Sequence, residues 1–274
     1  MASLLTEPRS TVALPLYSPP SIGENPQFQP EPQKILAEFG PYQARLAQTE
    51  QDRLAAYRLR FLVFNLEMHE GLESAFTTGL DTDAYDPVCD QLIVEEKATG
   101  SVVGTYRLQT GLNAGRHLGY YSEQEFCFAP YEHLRSSVIE LGRACILKEH
   151  RSAEVLNLLW RGIMRYALAR GGRYLVGCCS ITTQDANEGA GVFLGLQGYM
   201  VEDSLVTSPT PAYALPAPSG EVVAVPPPKL LRAYLAIGAK ICGAPAIDRA
   251  FGTIDLLTMI DLETLNPRIA RRFL

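Results

Sequence analysis

Apolar positions follow two rhythms along this chain. Between residues 49 and 68 they recur every three or four positions, with Leu54, Tyr57, Phe61 and Phe64 on one face and Arg53, Arg58 and Arg60 distributed around the rest. Thr49 followed by Asp52 reads as a helix N-cap with an acidic third position. Residues 43–48 before it predict a first strand. Residues 91–96 and 101–109 are apolar, β-branched runs joined through Thr99-Gly100, which predicts a hairpin.

The helical rhythm returns at 153–170, where Val155, Leu158, Leu159, Ile163, Tyr166 and Ala167 share a side and Gly171-Gly172 supplies the stop. Strand-like runs at 137–147 and 174–181 flank it. A strand, a long helix and a strand make a βαβ unit, so part of the sheet is expected to be parallel or splayed. A further amphipathic helix is predicted at 230–241 and a short apolar strand at 256–262. The fold class is therefore α/β.

Proline divides the chain. Fourteen of its nineteen prolines fall in residues 8–32 and 209–228. The first region reads as a disordered arm over residues 1–40, and the second as a long loop inside a single domain spanning 41–274. The segment after that loop is too small to hold a core alone, so it is expected to pack back on the same domain.

Composition narrows the function. A net charge of −6 and a pI near 5.3 argue against a general nucleic-acid binder. No run reaches the roughly 18 apolar residues of a membrane-spanning helix. The N-terminus lacks a basic region followed by an apolar one, and the expected location is cytoplasmic. Cys89, Cys127, Cys145, Cys178, Cys179 and Cys242 are scattered, mostly in apolar runs, and read as buried free thiols. There is no G-x-S-x-G elbow, no phosphate loop, no G-x-G-x-x-G, and His69, His117, His133 and His150 are not at metal spacing. Neither a metal nor a bound cofactor is expected.

A charged sextet remains in apolar surroundings: Arg58, Asp86, Asp90, Arg107, Glu140 and Arg143. Charge in such runs is costly unless paired. Glu140 and Arg143 are three apart in one strand and would face opposite sides unless a bulge intervenes, for which Gly142 is the candidate. One reading makes Glu140 a general base whose burial raises its pKa while nearby arginines lower it. The other makes the sextet a structural salt-bridge network. At Lys148, His150, Arg151 and Ser152 a strand gives way to a helix, where free backbone N–H groups and basic side chains favour an anion.

The run from Asp86 to Val94 (Asp-Pro-Val-Cys-Asp-Gln-Leu-Ile-Val), then Val-Gly-Thr-Tyr-Arg-Leu at 103–108 and Glu-Leu-Gly-Arg-Ala-Cys-Ile at 140–146, resembles acetyltransferase-like (GNAT) enzymes that use acyl carrier protein. That group holds acyl-homoserine lactone synthases, N-acyl amino acid synthases and the ornithine N-acyltransferases of ornithine lipid synthesis, some of them labelled hemolysins. The blocks at 227–239 and 245–255 resemble the ornithine group, and the likeness spans roughly residues 43–273.

The resemblance implies a GNAT-like fold, a central mixed twisted sheet flanked by helices with a βαβ core. It implies transfer of a (3-hydroxy)fatty acyl group from acyl carrier protein to the α-amine of ornithine. It assigns Glu140 and Arg143 to catalysis, Arg58, Asp86, Asp90 and Arg107 to the acceptor, and Lys148, His150, Arg151 and Ser152 to the phosphopantetheine arm. Arg161 and Arg165 would join Lys148 and Arg151 in steering the acidic carrier.

Two departures bear on this. The lactone synthases carry a tryptophan after the first helix, whereas the only one here is Trp160. The glycine-rich turn that cradles the pyrophosphate of coenzyme A is missing at 149–153, which suits a donor with a single phosphodiester. Transfer to another acceptor such as tyrosine, acetyl-CoA-dependent amine acetylation, and a non-catalytic carrier-binding or membrane-active protein stay open as alternatives. A fatty product implies peripheral contact with the inner membrane face.

Overall fold

The alternating runs pair into one mixed sheet in the computed structural model, which describes residues 35–273. Its strands are β1 (Ile35–Phe39), β2 (Tyr42–Leu46), β3 (Asp90–Glu96), β4 (Ser101–Thr110), β5 (Val138–Ile146), β6 (Tyr174–Ile181), β7 (Lys240–Ile241), β8 (Ala246–Asp248) and β9 (Thr253–Asp261). They lie in the order β1-β2-β3-β4-β5-β6-β9-β7, with β8 also against β9. Every pair is antiparallel except β5 with β6, the pair joined through a helix.

The expected arm falls outside the described residues up to residue 34. Its last residues are not irregular as expected: Leu36 and Ala37 are buried, which draws 35–39 into β1. The first helix, α1 (Glu50–Arg60), begins at the expected cap, where Thr49 accepts from the Asp52 amide and Asp52 accepts from the Thr49 amide. It runs on through Phe61–Glu67, but in π-helical turns. Two short helices follow, α2 (Ala75–Thr78) and α3 (Gly111–Arg116).

The long helix α4 (Ala153–Ala169) is capped by the Ser152 hydroxyl and buries all six residues of its predicted apolar face. Gly171 follows it in the left-handed region at φ +69°, which a glycine adopts without strain. With Leu36, Leu92, Val94, Leu108, Leu175 and Ile260, this face forms the core on one side of the sheet. Full burial of each aliphatic side chain contributes on the order of 2 kcal/mol. On the opposite side, Tyr57, Leu59 and Val63 pack against Ile93 and Cys145.

Helix α5 (Ala186–Leu194) was not foreseen, because Gly189 and Gly191 give its sequence a poor helical pattern. The predicted 230–241 helix is shorter, α6 (Lys229–Ala236): the chain turns at Gly238 and enters β7. A last helix, α7 (Pro267–Phe273), places Phe273 beside Trp160.

The pairing of β5 with β6 lasts only from Val138 to Glu140 against Tyr174 to Val176. Beyond it β6 continues against β9 and β5 against β4, so the two strands diverge. Gly177 sits at the fork, where a Cβ would stand 2.3 Å from the Leu141 carbonyl oxygen. A Gly177→Ala protein should lose about 1–3 kcal/mol of stability through this overpacking, read as a lower midpoint in urea denaturation.

Candidate active site

The fork opens a cavity of about 690 Å³. Its walls are largely apolar: Leu156, Leu159 and Trp160 from α4, Leu230 and Tyr234 from α6, and Leu175 and Ile260 from the sheet. Near the fork it becomes polar, with Arg107, Tyr121, Glu140, Arg143, Asp248 and Asp255 on its surface. The hydroxyls of Tyr106 and Tyr234 meet at 2.6 Å on the apolar side.

Glu140, the last residue of β5 paired with β6, is 6% exposed. Its Oε2 accepts from the Tyr121 amide and its Oε1 from the Ser122 amide, both at 2.8 Å, and from the Ser122 hydroxyl. Burial pushes its carboxyl up, while the Ser122 and Tyr121 hydrogen bonds and the charge of Arg107 pull against that rise. The carboxylate is thereby fixed in place and brought nearer to the range useful for proton transfer.

Arg143 reaches the same side of the sheet through a bulge. The register with β4 shifts between Thr105 and Arg107, and Arg143 itself, not Gly142, carries the unusual backbone at φ +51°. One extra residue resets the alternation: Leu141, Ala144 and Ile146 pack toward α4, whereas Glu140 and Arg143 both line the polar end of the cavity. A non-glycine residue in this region is strained, and it is held by ion pairs on one side and by the Phe251 ring, 4.0 Å from its guanidinium carbon, on the other.

Arg107 and Arg143 belong to a buried net of three arginines and three aspartates. Arg60 pairs with Asp81 and, through two bonds, with Asp86; Arg107 pairs with Asp83 at 2.6 Å and approaches Asp86 at 3.4 Å; Arg143 pairs with Asp83 at 2.8 Å. Burial alone would raise the carboxyls of Asp83 and Asp86. The charges of Arg107 and Arg143 on Asp83, and of Arg60 and Arg107 on Asp86, outweigh it and hold both below the ordinary range. The Nε of Arg143 finds no hydrogen-bond acceptor among the described residues, with Asp81 Oδ1 standing 3.7 Å away.

The sequence-predicted residues thus divide. Glu140, Arg143, Arg107 and Asp86 come together. Arg58 does not: it lies on the exposed face of α1, and Arg60, in the row with Ala56, Tyr57 and Leu59, takes the place expected of it. Asp90 faces the α4 side, where it accepts from the Tyr166 hydroxyl at 2.7 Å. Of the expected anion site, Arg151 and Ser152 line the cavity, although Arg151 is paired with Glu67. His150 turns away to hydrogen-bond Tyr42 at 2.9 Å, and Lys148 is exposed. Arg161 and Arg165 donate to the carbonyls of Arg272 and Leu36.

Asp81, Asp83, Tyr121 and Ser122 escaped sequence reasoning, as did a second polar group comprising Glu125, Cys178, Asp248 and Asp255. Asp255 had a usable signal, a carboxylate inside an apolar strand like Glu140. Glu125, Cys178 and Asp255 bring their side-chain ligand atoms within 4.8 Å of one another. Burial and the neighbouring carboxylates push Glu125 and Asp255 up. Burial pushes the Cys178 thiol well up and Cys179 up to about 12, so neither is a thiolate nucleophile at neutral pH. The exposed Cys127 and the half-buried Cys178 depart from the expectation of buried thiols.

A family model described as an acetyltransferase (GNAT) domain matches residues 59–161, a span that contains Glu140, Arg143 and the start of α4. The chain is 31% identical over 254 residues to an L-ornithine N(alpha)-acyltransferase of Agrobacterium fabrum, covering 85% of each chain. It is 31% identical over 254 residues to the enzyme of the same name from Brucella abortus, covering 85% of this chain and 89% of that one. Among solved structures, an N-acyl amino acid synthase from uncultured soil microbes aligns with a TM-score of 0.51 at 13% identity, over 81% of this chain and 93% of that one. The expected GNAT-like fold, a mixed sheet flanked by helices, is the one observed.

Two measurements follow. Arg60→Met removes the closest cation from both buried Asp81 and Asp86 and should cost about 3–5 kcal/mol, whereas Arg58→Ala should stay within about 0.5 kcal/mol; chemical denaturation of the two proteins checks this. Glu125, facing Asp255, Asp248 and Cys178, binds its proton more tightly folded than unfolded. Its contribution is full below the ordinary glutamate value of 4.5 and is lost as pH rises toward the raised folded-state value. Thermal unfolding from pH 5 to 9 should therefore show a smaller decline in stability for Glu125→Gln than for the parent.

Proposed function

The chain belongs to the L-ornithine N(alpha)-acyltransferases, and on that premise we propose that it transfers a (3-hydroxy)fatty acyl group from the thioester of acyl carrier protein to the α-amine of ornithine. The observation that carries the chemistry is a buried, three-times hydrogen-bonded carboxylate on the wall of an apolar cavity, at the point where β5 and β6 part.

The donor's acyl chain fits the apolar walls formed by α4 and α6, and its thioester the fork. There the β5 edge from Leu141 onward has no partner strand on the β6 side, which leaves main-chain groups able to meet the carbonyl oxygen as charge develops on it. The pantetheine arm would leave past Arg151 and Ser152, where the first amides of α4 favour its phosphodiester. Arg143, whose side chain lines the polar end of the cavity, suits the acceptor's carboxylate.

Glu140 takes a proton from the acceptor's ammonium group, so that the nitrogen lone pair can attack the thioester carbon. The C–N bond forms, the C–S bond breaks, and the pantetheine sulfur leaves and is protonated. Holding both reactants in one cavity removes much of the entropic barrier, and the thioester needs no covalent enzyme intermediate. No helix among the described residues is long and apolar enough to cross a membrane, and the fatty product favours peripheral contact with a lipid surface.

Transfer assays with ornithine, offered acyl carrier protein or coenzyme A thioesters in parallel and read by mass spectrometry, test this. N-acylornithine should form from the carrier-protein donor with the higher kcat/KM. Glu140→Gln should lower kcat by about 10²–10⁴-fold while the protein stays folded; undiminished turnover would remove Glu140 from the reaction.

A further inference from the structure

Beside Glu140 the cavity wall turns acidic in a way that the acyl-transfer chemistry leaves unused. Asp248, Asp255 and Cys178 line it, and Glu125 stands against Cys178, its Oε2 3.6 Å from the sulfur. Asp248 and Asp255 are 2% and 4% exposed and Glu125 is fully buried. None of the three carboxyls is paired with a Lys, Arg or His among the described residues, in contrast to Asp81, Asp83 and Asp86, each matched by an arginine.

Asp255 Oδ1 and Glu125 Oε1 are buried without any hydrogen-bond partner among the described residues. Unmatched buried acceptors are destabilising and are retained where a ligand satisfies them. Asp248 is the acid of the group with fixed partners: its Oδ1 accepts from the Ala250 and Phe251 amides at 2.8 and 3.0 Å, and its Oδ2 from the Tyr121 hydroxyl at 3.4 Å.

Tyr121 sets the spacing. Its amide donates to Glu140 and its hydroxyl to Asp248, so the acidic pocket lies one tyrosine's reach from the proposed base. The extended path from the α- to the δ-nitrogen of ornithine is comparable, about 6 Å. Arg143 packs on Phe251, next in the same turn as Asp248, so a carboxylate-binding cation, a proton acceptor and an acidic pocket converge on one acceptor-sized space.

Resting on the function proposed above, we infer that Asp248 and Asp255, the two acids that line the cavity, bind the side-chain ammonium of the acceptor and make the enzyme selective for a diamino acid over a neutral amino acid. The ammonium supplies donors and positive charge to carboxylate oxygens of Asp248 and Asp255, which no cation matches among the described residues. An acceptor without the terminal nitrogen leaves those oxygens unmatched, and that penalty is the source of discrimination. The second reading of Glu125, Cys178 and Asp255, a divalent metal site, becomes an outcome of the test.

The experiment compares kcat/KM for ornithine and for norvaline, which is ornithine without its δ-amine, in the parent protein and in Asp255→Asn and Asp248→Asn. The parent should favour ornithine by about 100-fold or more. Each variant should collapse that ratio toward 1. A variant that lowers both acceptors together and keeps the ratio assigns the pocket a structural role and overturns the inference, and thermal unfolding of each variant identifies folding loss directly. A parent that acylates norvaline as well as ornithine overturns the inference and leaves the proposed function standing. A parent that acylates no amino acid removes the proposed function and this assignment with it. Stoichiometric zinc or manganese retained by the parent and lost in Asp255→Asn, with the acceptor ratio unchanged, replaces it with a metal site.

Discussion

The rest of this structure depends on the brevity of one strand pairing. Parallel strands joined through a helix normally continue side by side, satisfying each other's main-chain groups. Here β5 and β6 do so for three residues and then separate, one following β4 and the other β9. Separation leaves a strand edge unsatisfied and a volume unfilled, both of which cost stability in an ordinary core. The sheet tolerates them because α4 lies across one face and the Asp–Arg net braces the other.

Placement of the reactive groups follows from that divergence and from the bulge beside it. Regular alternation would have sent Arg143 to the apolar face under α4, where a guanidinium has no partner. The extra residue turns it to the side that holds Asp81, Asp83, Glu140 and Tyr121, and the ion pair with Asp83 compensates for the strained backbone. The net is balanced, three positive charges against three negative, so its members orient one another. The acidic group around Asp255 is not balanced, and the contrast between the two clusters is what separates a brace from a binding pocket.

Much of this was legible in the sequence. Thr49 with Asp52, the α4 face from Val155 to Ala167, the hairpin at Thr99-Gly100 and the βαβ unit all depend on local rules, and each stands where those rules put it. The candidate site was legible where a charge interrupts an apolar run, as at Arg107, Glu140 and Arg143. It failed where a choice among neighbours is made by tertiary contact. Arg58 and Arg60 are both consistent with an amphipathic helix, and only the position of Asp81 and Asp86 selects the second. Asp90 and Asp86 share a motif, yet the short turn at Asp86–Val88 sends them to opposite faces. His150 was read as an anion ligand from its place in the chain, but Tyr42, more than a hundred residues earlier, holds its ring.

The fork also bears on how the molecule holds together. Below Glu140 the two halves of the sheet are joined by main-chain bonds between β5 and β6; above it side chains reach across the gap, such as the Thr182 hydroxyl on the Glu70 carboxylate. A ligand lodged in that gap would behave as a missing strand, a strut between two half-sheets that otherwise share a single seam. Binding and cohesion are then linked, since whatever occupies the gap favours the folded sheet by mass action.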